Sequence, residues 1–308
     1  MQNYLSYDGE EVDEIDFPSE NAFSFEDMHS SVHLPSNSLN EPPLDEYLLV
    51  HLFGSDSLQQ RLMELCREYQ DIFSSKLKVE TADLPPFKLS CDVSKWESLT
   101  SNKLAPRVQS AKKQAETIRQ IQELLNKKVI SPCNVSSYSQ ILLVPKPDNK
   151  WRFCVDYRDL NACCTKGGWP IPNIKPMCQR IGNIRPKPTV FGKVDFTSGY
   201  HQIATDESTK YLTAFITFLG IFCWNRLPMG PKGAPSHFQQ LMASVVLSGL
   251  INVEEIFARF RKHKLLVNPK KCYFGMPTVE FVGHHISSEG ITFSPQRIQG
   301  VLDISQPT

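Results

Sequence analysis

Phe191-Gly-Lys-Val-Asp195-Phe-Thr-Ser-Gly-Tyr200-His-Gln-Ile203 is a β-rich run that brings one carboxylate, Asp195, to a strand end and then turns at Ser198-Gly199. Upstream stands Lys146-Pro-Asp-Asn-Lys-Trp151-Arg152-Phe-Cys-Val-Asp156-Tyr-Arg158-Asp-Leu-Asn161. Downstream stands Leu227-Pro-Met-Gly230-Pro-Lys-Gly233-Ala-Pro235-Ser-His-Phe238-Gln239. Beyond that block, Ser248-Gly249-Leu250 runs straight into Ile251-Asn252-Val253-Glu254-Glu255. After Asp206 there is one further aspartate, Asp303, and nowhere in the 308 residues do two aspartates adjoin.

A chain of this length suffices for two or three compact units with a sizeable core. Its formal charge of zero conceals an asymmetry. The first sixty residues hold thirteen Asp and Glu and no Lys or Arg, so residues 61–308 carry 33 basic against 20 acidic side chains, a balance of +13. Such a surplus suits a surface that tracks phosphates, although ordinary solvated faces on a basic domain give the same count. Nine cysteines with no C-x-x-C pair read as reduced intracellular thiols rather than as a disulfide framework or zinc site. His284-His285 reads as structural, because no cluster with zinc spacing surrounds it. The most apolar run, 211–224, is too short to span a bilayer and is broken at Gly220, so it reads as a buried hairpin. No membrane partner is expected, and the location is expected to be intracellular, cytoplasmic or nuclear.

Residues 1–44 are acidic, rich in Ser, Asn, Glu and Pro, and without periodicity, which predicts a disordered segment. Residues 45–104 read as a linker region, with helical spacing over 58–73 and an extended stretch at Leu84-Pro-Pro86. Apolar residues at Ala111, Ala115, Ile118, Ile121 and Leu125 predict an amphipathic helix over 110–128. Two strands follow, over 141–144 and 151–155, joined by turn chemistry at 146–150. Alternation puts Trp151, Phe153 and Val155 on one face and Arg152, Cys154 and Asp156 on the other.

In this order and spacing the three blocks resemble the reverse transcriptase of gypsy-type LTR retrotransposons, over about residues 105–308. The resemblance implies an α+β fold, with the fingers and palm of a right-hand polymerase over 105–250 and the rest of the palm and the start of the thumb over 251–308. It implies an RNA-directed DNA polymerase that extends a primer 3′-hydroxyl on an RNA or DNA template, using dNTPs and Mg²⁺. Carried over residue by residue, Asp195 is the catalytic metal ligand, and Lys271, in Asn268-Pro-Lys-Lys271-Cys272-Tyr-Phe274, is the acid that protonates leaving pyrophosphate. Lys146 and Arg152 clasp the triphosphate, Tyr200 closes against the sugar, and Gly230 lets backbone approach the nucleotide. Phe281, Gly283 and His284 form the primer grip. Each has a plainer reading beside this one: a capping aspartate, a core tyrosine, solvated lysines and arginine, turn glycines and an ordinary strand. Oligomeric state is left open.

Beside the Asp195 strand the family carries a Tyr-x-Asp-Asp hairpin, which helps hold two magnesium ions about 3.5–4 Å apart. Here Gly249 reads as a helix end and Asn252, with Glu255 three residues on, as a fresh N-cap. Two helices therefore meet where a hairpin has no room. The palm sheet is expected to be incomplete, the thumb to be truncated to one helix over 295–304, and the polymerase to be inactive. Two other readings stay open. One is a non-catalytic nucleic-acid-binding or scaffold protein. The other is a non-functional gene product, whose hairpin was lost by deletion or by a spurious intron between the codons for Leu250 and Ile251.

Overall fold

Ahead of the long helix α3 (Ala111–Asn126) come β1 (His51–Leu52), α1 (Asp56–Glu68) and α2 (Val93–Ser98) in the computed structural model, which describes residues 45–146, 151–165, 168–250 and 252–293. Then follow β2 (Ile130–Pro132), β3 (Ser139–Pro145), β4 (Trp151–Asp156), α4 (Arg158–Cys163), α5 (Ile174–Gly182) and β5 (Phe191–Lys193). The hairpin β6 (Phe215–Thr217) and β7 (Gly220–Trp224) leads to α6 (Ala234–Gln240) and α7 (Val253–Lys262). Four short strands close the described chain: β8 (Tyr273–Met276), β9 (Thr278–Phe281), β10 (His284–Ser287) and β11 (Ile291–Phe293). The acidic segment 1–44 and the helix expected over 295–304 lie outside the described residues.

Local signals set the helices. Ser55 Oγ accepts from Leu58 N at 3.4 Å at the start of α1. The spacing expected over 58–73 breaks at Tyr69, and a 3₁₀ turn, Gln70–Ile72, finishes it. In α3 the apolar stripe turns Ile121 into the core, and on the other face Arg119 bridges Glu116 and Glu123 one turn to either side.

A five-stranded sheet has the order β2-β7-β6-β3-β4. All its pairs are antiparallel except β3 with β6. The run 211–224 is the buried hairpin expected, with Phe215 opposite Phe222 and Phe215 in ring contact with Phe153 and Trp224. One expectation is corrected here, because Cys133 and Cys223 form a disulfide. Register is the reason: Ser131 pairs with Cys223 and Cys133 N donates to Ile221 O at 3.1 Å, which brings together two thiols 90 residues apart with Cα atoms 5.9 Å apart.

A second sheet runs β1-β8-β5. β8 pairs antiparallel with β5 and parallel with β1, so among the described residues the strand leading to Asp195 is an edge strand with β8 as its sheet neighbour. Beneath it Phe257 is ringed edge-on by Tyr69, Phe73 and Phe274 at 5.9, 5.5 and 5.6 Å. Tyr69 and Phe73 come from the segment read as a linker, so that segment supplies core as well as β1.

α6 runs on through a π-helical turn, Leu241–Val246; Gly249 then takes φ +73°, and Asn252 Oδ1 accepts from Glu255 N at 2.9 Å to cap α7. β9 and β10 form a hairpin over a two-residue turn, Val282-Gly283, with φ 48° and 73°, inside the third sheet, β11-β10-β9. No helix of the described residues is long and apolar enough to cross a membrane.

Candidate functional site

A cleft of about 650 Å³ opens between β4, the end of α3, the turn after Asp195 and the Met229-Gly230 loop. Lys146, Arg152 and Gly230, three of the four residues expected to meet a nucleotide, line it. Arg152 stands on the exposed side of β4, opposite Val144. Among the described residues neither Lys146 nor Arg152 is ion-paired, whereas the cleft's third cation, Lys127, is held 2.5 Å from Glu123. Lys127 accordingly pulls the Glu123 carboxyl down. Gly230 takes φ +110°, and a Cβ there would stand 3.1 Å from the Tyr157 ring. That ring is fixed, because Tyr157 is buried and its hydroxyl donates to Thr213 O at 2.8 Å. Asn161 locks the loop from outside, with Nδ2 donating to Gly230 O at 3.0 Å and Oδ1 accepting from Lys232 N at 2.7 Å.

The fourth expected residue, Tyr200, does not line this cleft. It sits in a 3₁₀ turn, Gly199–Gln202, entered through Ser198 at φ +48°. Its ring packs 5.1 Å from Phe238, and burial pushes its phenol up. Successive residues of a 3₁₀ helix point about 120° apart, so the neighbour His201 takes the cleft instead. His201 stacks on Trp224 at 5.4 Å, and burial, with smaller contributions from Arg226 and Lys127, lowers its pKa to about 4. It is therefore a neutral ring at neutral pH. Arg226 behind it is 1 % exposed and donates to His201 O at 2.9 Å and to the carbonyls of Lys78 and Val79. His201 stands in the same quoted block as Tyr200, and the sequence signals the turn at Ser198-Gly199 but not its 3₁₀ geometry, which decides which of the two rings enters the cleft.

Asp195 is also not among the cleft's lining residues. Asn268 N donates to Asp195 O at 2.8 Å, and Phe196 bridges Val267, so the chain after Asp195 is tied to the segment before β8. The 3₁₀ turn Pro269–Lys271 follows, and Lys271 Nζ lies 2.9 Å from Asp195 Oδ2. The two residues expected to be catalytic are thus each other's ion-pair partners. Among the described residues no group of three or more His, Cys, Asp or Glu side chains is arranged to hold a metal. The donor set, one carboxylate facing an ammonium, does not fit a two-magnesium centre.

Phe281 and His284 stand opposite each other across β9 and β10, with Gly283 in the turn between them. Phe281 is 38 % exposed at the hairpin tip, and His284 Nδ1 lies 3.1 Å from Val282 O. The three expected primer-grip residues therefore share one exposed apex, on a sheet separate from that of β5.

Residues 144–250 match the family profile of the reverse transcriptase, an RNA-dependent DNA polymerase. Among curated proteins the chain is 32 % identical over 266 residues to the retrovirus-related Pol polyprotein from transposon 412 of Drosophila melanogaster, covering 76 % of this chain and 20 % of that one. It carries a retrotransposon reverse transcriptase domain. The Pol polyprotein of transposon opus, also from Drosophila melanogaster, is 31 % identical over 63 % of this reverse transcriptase chain and 22 % of its own length. Both elements are of the gypsy type. The chain thus spans about a fifth of the length of these relatives. The fold agrees: a foamy viral protease-reverse transcriptase in complex with double-stranded DNA superposes with a TM-score of 0.68 at 19 % identity, over 92 % of this chain and 52 % of that one. The same viral enzyme in complex with an RNA/DNA hybrid gives 0.66 at 19 % identity, over 86 % and 38 %.

Proposed function

We propose that this reverse transcriptase domain, by descent an RNA-directed DNA polymerase, binds primer-template and nucleotide without transferring nucleotides. The Lys271–Asp195 ion pair carries the reading. The Lys271 ammonium occupies the Asp195 carboxylate, and among the described residues no group of three or more His, Cys, Asp or Glu side chains is arranged around it to hold a metal. Removing even one preorganised electrostatic group commonly costs about 10²–10³-fold in rate.

Binding has better support. Arg152 offers a planar fork that engages phosphate oxygens in pairs, and Lys146 adds a point charge at the same cleft. His201, neutral and stacked on Trp224, adds a ring to the cleft without adding to the positive field. Phe281, Gly283 and His284 offer an exposed hairpin tip for a primer strand. The excess of basic residues in 61–308 supplies phosphate contacts that carry little base readout. The solved foamy viral enzymes of the same fold hold double-stranded DNA and an RNA/DNA hybrid.

The test is a gel-based primer-extension assay with Mg²⁺ or Mn²⁺, run beside fluorescence anisotropy on the same primer-template. Binding that weakens steeply with salt, with no added nucleotide, is expected. Template-dependent incorporation that disappears in Asp195→Ala would overturn the proposal.

A further inference from the structure

Away from the cleft, the segment before α2 meets the chain that leaves α4, and the contact is a pair of cysteines. Cys91 and Cys164 form an isolated antiparallel bridge. Its flanking hydrogen bonds run from Asp92 N to Cys163 O at 2.9 Å and from Thr165 N to Ser90 O at 3.1 Å. Those bonds join the residues on either side of the pair, so Cys91 and Cys164 occupy a non-hydrogen-bonded position, where facing Cα atoms stand about 4.5 Å apart and side chains approach most closely. Disulfides need Cα separations of about 4.4–6.8 Å, so the backbone already meets the requirement. Both thiols are free. Cys164 is buried and Cys91 is partly exposed, so an outside reagent reaches Cys91 first.

We propose that Cys91 and Cys164 are a redox-active dithiol that closes to a disulfide by exchange with a small-molecule disulfide such as oxidised glutathione. The Cys91 thiolate attacks one sulfur of the reagent and expels the other half as a thiolate, leaving a mixed disulfide on Cys91. The Cys164 thiolate then attacks the Cys91 sulfur and expels the second half. The protein gives up two electrons and two protons, and the reagent leaves as two thiols. Burial raises both thiols, Cys164 to about 12, so the exchange is slow at neutral pH and accelerates as the thiolate fraction grows.

The pair is wired to the cleft. Lys232 Nζ donates to Cys164 O at 3.1 Å and to Asn161 O at 3.3 Å, and Asn161 in turn holds Gly230. Closing the bridge would also tie the segment before α2 to the end of α4, a loop of 73 residues in sequence. Cys163 is the built-in control, since it is adjacent in sequence to Cys164 yet bridges nothing.

The experiment is a titration of the folded full chain with oxidised glutathione, with rapid alkylation of remaining thiols and non-reducing tryptic peptide mapping. The expected product links peptide 89–95 to peptide 159–166, persists in Cys163→Ser and is absent in Cys164→Ser. Its rate of formation is expected to rise roughly tenfold between pH 7 and pH 8. If Cys91 and Cys164 are recovered separately alkylated after oxidation of the wild-type chain, or if the link survives in Cys164→Ser through Cys163, the proposal fails. Mapping the wild-type chain decides the first point without any substitution.

Discussion

Asn268 N donates to Asp195 O at 2.8 Å, and with Thr197 N donating to Leu266 O at 3.0 Å this bond registers the segment carrying Lys271 against the Asp195 strand. One 3₁₀ turn later Lys271 reaches the Asp195 carboxylate. β8 stands beside β5, and the ion pair joins the two segments at the end of that pairing. The ion pair is exposed, with side chains 64 % and 47 % accessible, so its contribution to stability is of the surface kind, about 0–1 kcal/mol. Its importance is that it occupies the carboxylate.

Lys271→Gln should therefore change metal binding more than folding. Mn²⁺ affinity near Asp195, followed by paramagnetic relaxation of water protons, is expected to rise, while the urea midpoint shifts by an amount corresponding to about 1 kcal/mol or less. A large loss of stability would show that the pair supports the fold.

Inserting a hairpin is the reciprocal experiment. Insertion of a Tyr-x-Asp-Asp hairpin between Leu250 and Ile251 is expected to displace β8 from β5 and to allow primer extension that depends on Asp195. Sequencing the transcript across those two codons shows whether the shorter junction is expressed. A chain that stays inactive with the hairpin in place would mean that further parts of the site are absent.

The cleft's cations should be separable from its shape. Arg152→Lys keeps the charge and loses the paired donors, and it is expected to weaken nucleoside triphosphate binding by about 1–3 kcal/mol in equilibrium titration. Gly230→Ala should weaken it by another route. The new Cβ would meet the fixed Tyr157 ring in a left-handed backbone, with a loss of stability of about 1 kcal/mol or more.

His201 sets a pH dependence. Its pKa of about 4 in the fold lies below the unfolded value of about 6.5, so the unfolded chain binds the additional proton between these limits. Stability from this group is complete above pH 6.5 and is lost as pH falls toward 4. His201→Gln should flatten the denaturation midpoint over that window, and an unchanged slope would place the ring in water.

At the base of the second sheet, Phe257→Ala removes the ring that Tyr69, Phe73 and Phe274 surround, and it is expected to destabilise the chain by about 3–5 kcal/mol in urea unfolding. Because two of those rings come from before residue 105, the same experiment shows whether residues 45–104 fold with the polymerase. Loss of helix signal in one transition is the expected result.

What the sequence determined by itself was local or patterned. The stripe of Ala115, Ile118, Ile121 and Leu125 set α3, alternation around Trp151 set β4, and Asn252 with Glu255 set the start of α7, because caps and side-chain periods act among near neighbours. The block order was enough to assign the reverse transcriptase domain, and Lys146, Arg152 and Gly230 do share a cleft. What only the tertiary structure decided depends on register between segments far apart in the chain. The β2–β7 pairing joined Cys133 to Cys223, the 3₁₀ turn after Ser198 sent His201 rather than Tyr200 into the cleft, and the seating of β8 against β5 put Lys271 on Asp195. Such contacts follow from how whole faces fit together, and no spacing along a single strand or helix carries that information.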